Sequence, residues 1–378
     1  MISTGSPHVT KRQTSSRIPS LDGLRALSIG LVLFAHTSGT RFFPSFEVSR
    51  YKLGNLGVRV FFVISGFLIT SLLLEELDAT KRISLKWFYI RRALRIFPAA
   101  YAYIAVMCLC TAAGVIALNR GDLLHAVTYT VNYAKIRSFY IVHLWSLSVE
   151  EQFYFLWPAV LLLSGRRRGL QIAAAVMLAA PALRSLITLW IPKWTWTLGF
   201  SFHTNADVLA AGCVLAGIRP WLGTQPWYLR FLRSAWFLAV PAAVIVGSYF
   251  ETSLVPAFYL KMQESSVPWN FPVMNIGIAL IIDRCVRFPS DLVGRILNWR
   301  PIAFVGVLSY STYLWQQVFL NRLSNSPACW FPINLMLTAG AALASYYLIE
   351  KPCLDLRKRI ERAWAPAKRT AGKAAGPA

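Results

Sequence analysis

Apolar stretches of membrane-spanning length recur along almost the entire chain. A helix needs about 20 apolar residues to cross the roughly 30 Å hydrocarbon core of a bilayer. About ten stretches approach or exceed that length, at residues 22–40, 56–76, 97–117, 141–163, 170–190, 202–218, 234–250, 267–283, 301–321 and 330–350. The hydrophobic content is 56%, against roughly 45–50% in soluble domains. The sequence therefore predicts an all-α polytopic membrane helix bundle of about ten transmembrane helices.

The distribution of Lys and Arg predicts the orientation of the chain. Cytoplasmic loops carry the excess of basic residues, and the clusters at 81–95, 166–168 and 351–373 share one side with the N-terminus if the spans alternate. We therefore predict a multi-pass protein of the cytoplasmic (inner) membrane with both termini in the cytoplasm. Polar composition at 1–17 and an Ala-, Lys- and Pro-rich segment at 363–378 predict disordered cytoplasmic tails around a membrane domain at 18–362.

The net charge of +23 does not indicate a nucleic-acid partner. The basic clusters lie beside apolar spans, where each Lys or Arg attracts anionic lipid headgroups with about 1 kcal/mol. Anionic lipids, and no nucleic acid, are therefore the predicted partners of these clusters. The six cysteines lack the paired spacing of a zinc site, so no metal is predicted.

Two ionisable residues, Arg25 and His36, lie in the first apolar stretch. Such residues within a membrane span are functional candidates by default. Eleven residues of helix return to within about 20° of the starting face and rise about 16 Å. Arg25 and His36 are therefore expected on one helix face at two depths.

The fourth stretch contains Glu150, which needs a partner, a proton or water because a charge near the bilayer centre costs about 2.5–3.5 kcal/mol. Ser146, Glu150 and Tyr154 share one helix face. From the outer end Glu150 lies about 12 Å deep and His36 about 5 Å deep, so both are placed in the outer half of the membrane. We predict that they meet, with the carboxylate orienting the imidazole for general-base catalysis.

Two further patterns have both a structural and a functional interpretation. Ser65 and Gly66 interrupt an aromatic run, which fits close helix packing or a slot for a thin substrate arm, with Ser65 donating a hydrogen bond. Arg92 and Arg95 lie in a basic, aromatic segment typical of an interfacial helix. Their three-residue spacing also suits the binding of one phosphate.

Three other ionisable residues are given mainly structural roles. Asp22 is expected to cap the first helix. His143, at the outer end of the fourth span, is expected to be solvated, with contact to an acceptor as the alternative. Glu350 is expected to end the last helix at the cytoplasmic face, with a contact to Arg25 as the alternative.

Motifs in a characteristic order run from residue 18 to residue 352. They are Ile-Pro-Ser-Leu-Asp-Gly-Leu-Arg-Ala-Leu at 18–27 followed by His36, Gly-Val-Arg-Val-Phe-Phe-Val-Ile-Ser-Gly-Phe-Leu-Ile-Thr at 57–70, Arg-Ala-Leu-Arg at 92–95 with Pro98, Trp-Ser-Leu-Ser-Val-Glu-Glu-Gln-Phe-Tyr at 145–154, Leu-Ser-Tyr-Ser-Thr-Tyr-Leu-Trp at 308–315 and Glu-Lys-Pro at 350–352. In these motifs the chain resembles the acyltransferase-3 family of integral-membrane O-acyltransferases. It departs from the family pattern at Gln316, where the family often has His, and matches it only loosely around Asp207.

The resemblance implies transfer of an acyl group, commonly acetyl from acetyl-CoA, to a hydroxyl of a glycan or other glycosylated acceptor. By the same resemblance the functional positions are Arg25, His36, Arg92, Arg95 and Glu150. No particular oligomeric state is predicted.

The residues and the resemblance suggest one hypothesis. The nucleotide end of coenzyme A lies among the arginines near the cytoplasmic face, and its thin arm passes Ser65 and Gly66. His36, oriented by Glu150, acts as general base or acyl carrier. A glycolipid or polysaccharide transporter is the alternative, because it would also bury ionisable residues and would suit spans broken near Pro268 and Pro272.

Overall fold

A computed structural model of the chain describes residues 18–44, 50–250 and 270–374. The disordered tail predicted at 1–17 lies outside the described residues, as does the predicted break at Pro268. Within the described ranges the secondary structure is helical and contains no strand, which confirms the all-α prediction for this part of the chain.

Fourteen α-helices make up the described fold. Their bounds are α1 Leu21–Thr37, α2 Arg50–Thr80, α3 Leu85–Ala112, α4 Asp122–Val127, α5 Phe139–Val142, α6 Leu144–Trp190, α7 Phe202–Leu222, α8 Pro226–Arg233, α9 Ala239–Phe250, α10 Asn270–Arg287, α11 Leu292–Leu297, α12 Arg300–Phe319, α13 Ile333–Ser345 and α14 Lys351–Ala374. A single π-helical turn, Tyr346–Glu350, joins α13 to α14.

Every one of the predicted apolar stretches overlaps a helix of this fold. Four helical segments in the described ranges are long and apolar enough to cross a bilayer: Leu53–Thr80, Leu85–Ala112, Phe139–Trp190 and Ile333–Ala363. The pair Phe202–Leu222 and Pro226–Arg233, bent by 114°, could supply a fifth. The chain is therefore a multi-pass membrane protein, while the count of about ten spans and the cytoplasmic location of both termini remain predictions.

The long helix α6 is broken where the sequence predicted a loop between two spans. Gly165 has φ 71° and ψ 177°, a conformation outside the helical region that a glycine adopts without steric cost. The basic residues Arg166, Arg167 and Arg168 follow directly. The break therefore separates two apolar halves that correspond to the predicted spans at 141–163 and 170–190.

The C-terminal segment differs from its prediction. Helix α14 continues to Ala374, so residues 363–374 are helical where the sequence predicted a disordered tail. Ala and Lys, which together with Pro suggested disorder, are also strong helix formers. Residues 375–378 lie outside the described part of the chain.

Glycines allow the central helices to pack closely. A Cβ at Gly66 of α2 would overlap the carbonyl oxygen of Leu209 in α7, and one at Gly212 would overlap the carbonyl oxygen of Val63. Small residues permit such close approach of membrane helices. Gly66 is therefore a packing residue between α2 and α7, which confirms the close-packing interpretation of this position and not the slot.

Helix α1 is held in the same way between α2 and α12. A Cβ at Gly57 would overlap the carbonyl oxygen of Ser28, and one at Gly306 would overlap that of Asp22. These contacts fix the helix that carries both Arg25 and His36.

We expect Gly212→Ala to destabilise the protein by about 1–3 kcal/mol, because the added methyl group meets backbone atoms of α2 that cannot rotate away. Gly30→Ala is the matched control, since a Cβ at Gly30 meets no atom within 4 Å. It should raise stability slightly, because Ala favours a helix over Gly by about 0.5–1 kcal/mol. The Tm of each variant, measured by thermal unfolding in detergent, tests both expectations. Equal Tm values would contradict the close approach of α2 and α7.

Candidate active site

A polar cavity lies between α1, α2, α3, α6 and α12, with about 810 Å³ of empty volume including its open mouth. Apolar side chains form part of its wall. The polar side chains in the wall are Arg25, Ser65, Arg92, Arg95, Ser146, Glu150, Tyr154, Ser309, Tyr310 and Tyr313. Five of the six residues singled out from the sequence as catalytic or cofactor-binding thus line one cavity, and His36 is the exception.

The arginines give the cavity an excess of positive charge. Arg25 forms an ion pair with Asp22, at 3.4 Å between Nη1 and Oδ1. Among the described residues, Arg92 and Arg95 have no carboxylate within ion-pair distance. The Nε of Arg92 is buried without a hydrogen-bond partner, and its guanidinium lies 5.8 Å from the ring centroid of Tyr154. Guanidinium groups in this state favour phosphate or carboxylate ligands.

Asp22 does not cap α1 as predicted. The N-cap position is Ser20, and Asp22 lies in the first helical turn. There its carboxylate accepts from Arg25, three residues along the same helix. Asp22 therefore positions an arginine of the cavity instead of the helix terminus.

Glu150 interacts with Ser65 across the α2–α6 interface. The Ser65 hydroxyl donates to Oε1 of Glu150 at 2.5 Å, and the Tyr154 hydroxyl donates to Ser65 Oγ at 3.1 Å. Ser65 and Tyr154 are buried, so water competes little for these bonds. The three side chains form one connected polar part of the cavity wall.

His36 has a different partner from the one predicted. Its Nδ1 lies 2.6 Å from Oε1 of Gln316 on α12, and the predicted contact with Glu150 is not formed. The physical reason is the arrangement of the helices, because α1 packs chiefly on α2 and α12 whereas Glu150 on α6 faces α2. The shared depth estimated for His36 and Glu150 does not make their helices neighbours.

His143 is buried, with 4% of its surface exposed, instead of solvated at the membrane boundary. Its Nε2 lies 3.1 Å from the carbonyl oxygen of Leu314, and its ring packs against Tyr103 and Tyr313. The Tyr313 hydroxyl donates to the His143 carbonyl at 2.9 Å. His143 therefore joins α6 to α12 beside the cavity.

Glu350 is also more interior than expected. It lies at the end of the π-helical turn, is 6% exposed and accepts a hydrogen bond from the Ser311 hydroxyl of α12. Its carboxylate therefore lies in the bundle interior, and the chain continues from it into α14 instead of ending a helix there.

Sequence reasoning gave no individual role to several residues of α12 that the structure places at the site. Tyr310 and Tyr313 line the cavity, and Gln316 contacts His36. Gln316 and Gln317 are adjacent amides within an apolar helix, the same signal of a polar group in a span that identified Glu150. Applied to α12, that signal would have found them.

The described residues contain no group of three or more His, Cys, Asp or Glu side chains arranged to hold a metal ion. The cavity instead offers guanidinium, hydroxyl and carboxylate groups. Three guanidinium groups, of Arg25, Arg92 and Arg95, and the hydrogen-bonded pair of Ser65 and Glu150 line this one cavity.

Comparisons with known proteins give a consistent result. A family model described as an acyltransferase domain matches residues 18–349. The chain is 32% identical over 373 residues to the O-acetyltransferase OatA of Staphylococcus aureus, covering 92% of this chain and 58% of that protein. It is 27% identical over 367 residues to the peptidoglycan O-acetyltransferase OatA of Listeria monocytogenes, covering 91% of this chain and 57% of that protein.

The chain therefore spans a little over half the length of these relatives. No solved structure shows significant similarity to it.

Proposed function

Because the chain belongs to the acyltransferase-3 family of integral-membrane O-acyltransferases, we propose that it transfers an acetyl group from acetyl-CoA to a hydroxyl of an exported or cell-surface glycan. The observation that supports this proposal is a cavity lined by Arg92 and Arg95, neither of which forms an ion pair with a described carboxylate. The name of the Listeria relative specifies peptidoglycan, which makes a peptidoglycan hydroxyl the first acceptor to test.

The arginine end of the cavity is the proposed site for the phosphates of coenzyme A. Arg25, Arg92 and Arg95 come from two helices and surround one space. Phosphate oxygens would satisfy guanidinium donors such as the buried Nε of Arg92. The thin arm of the donor would then follow the wall formed by Ser65 and Glu150, within the cavity and not through the contact at Gly66.

His36 is the proposed reacting residue. It lies eleven residues beyond Arg25 on the same helix, about 16 Å along the axis, so the acyl end of a long donor would reach it while the phosphates stay at the arginines. As general base, the imidazole takes the proton of the acceptor hydroxyl as its oxygen bonds to the acyl carbon and the thiolate leaves. As acyl carrier, an imidazole nitrogen would first bond to the acyl carbon as the carbon–sulfur bond breaks. The acceptor oxygen would then displace that nitrogen from the acyl carbon, and the hydroxyl proton would pass to the thiolate.

The proposed location is the cytoplasmic (inner) membrane, with acetyl-CoA entering from the cytoplasm and the glycan from the opposite side. The basic clusters near the helix ends would contact anionic lipid headgroups. The distance between Arg25 and His36 suits this arrangement, because it separates the donor and acceptor ends of the site.

Release of coenzyme A thiol tests this activity. We expect the purified protein, given acetyl-CoA and a peptidoglycan fragment, to release one thiol for each acceptor that gains an acetyl mass. A transporter would release none.

The predicted break at Pro272, which suited a transporter, lies in the first turn of α10, where proline is tolerated. Glycan movement across vesicles without thiol release would contradict the proposal.

A further inference from the structure

We propose that Gln316 is the positioning residue of His36, and that it holds the imidazole with its proton on Nδ1 and leaves Nε2 as the reacting atom. This inference rests on the proposed acyl transfer at His36. The contact that suggests it is the 2.6 Å distance between His36 Nδ1 and Oε1 of Gln316.

The side-chain amides of Gln316 and Gln317 can each be oriented in only one way, because the backbone carbonyl of Phe139 can only accept a hydrogen bond. Gln317 Nε2 lies 3.0 Å from the carbonyl oxygen of Phe139, and a carbonyl only accepts hydrogen bonds. The nitrogen of Gln317 must therefore face Phe139, which turns its oxygen toward Gln316. Gln316 Nε2 donates to that oxygen at 3.2 Å. The remaining atom of the Gln316 amide, its carbonyl oxygen, is then the one that faces His36.

The position of the imidazole proton follows from the same chain of bonds. An amide oxygen cannot donate, so His36 Nδ1 must carry the hydrogen. A neutral imidazole has one N–H, which leaves the lone pair on Nε2. Nε2 makes no hydrogen bond to any described residue. It is therefore the nitrogen available to a substrate.

Burial of the two glutamine amides favours the Nδ1–H tautomer of His36 over the Nε2–H tautomer. Gln316 is 0% exposed and Gln317 is 5% exposed, so water does not compete for either amide. In such surroundings an unpaired polar group is costly, and the alternative imidazole tautomer would set a bare Nδ1 lone pair against the Gln316 oxygen. An uncharged amide thus performs the orienting role that a carboxylate or an asparagine performs in hydrolase triads.

The proposed reaction can use Nε2 in two ways. As acyl carrier, Nε2 bonds to the acyl carbon as the carbon–sulfur bond breaks, and the acceptor oxygen then displaces Nε2 from that carbon while the hydroxyl proton passes to the thiolate. As a base, Nε2 takes the hydroxyl proton while the acceptor oxygen bonds to the acyl carbon and the carbon–sulfur bond breaks. The imidazolium then returns the proton to the thiolate. Throughout, the hydrogen stays on Nδ1 and is donated to Oε1 of Gln316 in a hydrogen bond. This hydrogen bond becomes stronger when the ring is an imidazolium.

Replacing Gln316 by Met removes the acceptor at similar side-chain length. We expect kcat to fall about 100-fold or more, because the ring loses both its tautomer and its orientation. KM for acetyl-CoA should stay nearly unchanged, since the arginine end is untouched. Gln316→Glu keeps an oxygen acceptor at the same reach and should retain more activity than Gln316→Met.

The matched control is Gln152→Met. Gln152 is another amide inside a helix, and its Nε2 donates to the carbonyl oxygen of Tyr129 at 2.9 Å, away from His36. Its loss should lower stability while kcat in the folded fraction is unchanged. This separates the loss of a buried hydrogen bond from the loss of histidine orientation.

The tautomer of His36 is measured directly by nitrogen and carbon NMR of histidine-labelled protein without substrate. The chain has five histidines, and His36→Asn identifies the signal of His36. We expect an Nδ1–H imidazole in the wild-type protein and in Gln152→Met, and its loss in Gln316→Met.

A wild-type His36 protonated on Nε2 would overturn the inference, as would full kcat in folded Gln316→Met. The wild-type spectrum decides the matter even if that variant does not fold. Absence of thiol release by the wild type would instead refute the proposed function.

Discussion

Replacing His36 by Ala is expected to reduce acetyl transfer by about 100- to 10,000-fold, the range for loss of a positioned general base. Binding of coenzyme A should be nearly unchanged, because Arg25 lies about 16 Å from His36 along α1 and the cavity lined by Arg25, Arg92 and Arg95 does not include His36. Thiol release and acceptor mass measure the transfer, and calorimetry on detergent-solubilised protein measures the binding.

His125→Ala is the matched control for this substitution. The His125 ring is hydrogen-bonded to the hydroxyl of Thr130, and neither residue lines the cavity. Loss of the His125 ring should therefore leave acetyl transfer intact. Equal activity of the His36→Ala variant and the wild type would remove His36 from the mechanism.

The second large effect is expected at the arginines of α3. The double variant Arg92→Gln and Arg95→Gln should bind coenzyme A at least about 100-fold more weakly, because each hydrogen bond to a charged group contributes about 1.5–3 kcal/mol. Affinity of the wild type should also fall with rising salt, and more steeply than that of the variant. Titration at two ionic strengths measures both effects.

Arg91→Gln serves as the control, since it removes one positive charge from the position adjacent to Arg92. Arg91 pairs with Glu76, at 3.4 Å, and does not line the cavity. Its replacement should leave coenzyme A affinity unchanged. If Arg91→Gln and the double variant lose the same affinity, the effect comes from general surface charge and the cavity is not the binding site.

The helices of this fold could be predicted because their signal is local. An apolar run of a given length identifies α2 or α3 without knowledge of its neighbours. The break at Gly165 was also marked locally, by basic residues between two apolar runs. The helical end of α14 was missed because its composition fits both a helix and a disordered tail, and local pattern does not decide between them.

The site was predictable in part, because helix periodicity places residues on faces but does not say which helices are neighbours. Arg92 and Arg95 face the cavity together, three residues apart on α3. The partner of Glu150 depends instead on α2 lying beside α6, and that of His36 on α12 lying beside α1. The sequence predicts how deep a residue lies along its helix, but it does not predict which helices lie side by side. That arrangement depends on contacts between helices, such as the close approach of Gly306 to the backbone of Asp22.

The neighbouring helices also explain why Ser65 and Gly66, which are adjacent in the sequence, have different roles. Both are small, yet they lie about 100° apart around α2 and contact different neighbours. Gly66 packs on Leu209 of α7, while Ser65 faces the cavity and Glu150. The sequence identified an unusual position, and only the neighbouring helices separate packing from chemistry.

A cryo-electron microscopy structure of the wild-type protein with coenzyme A tests the proposed function most directly. We expect density for its phosphates within hydrogen-bond distance of the Arg92 and Arg95 guanidiniums, with the arm extending past Ser65 toward His36. Nucleotide density elsewhere on the protein, with the arginine cavity occupied by a lipid headgroup, would contradict it.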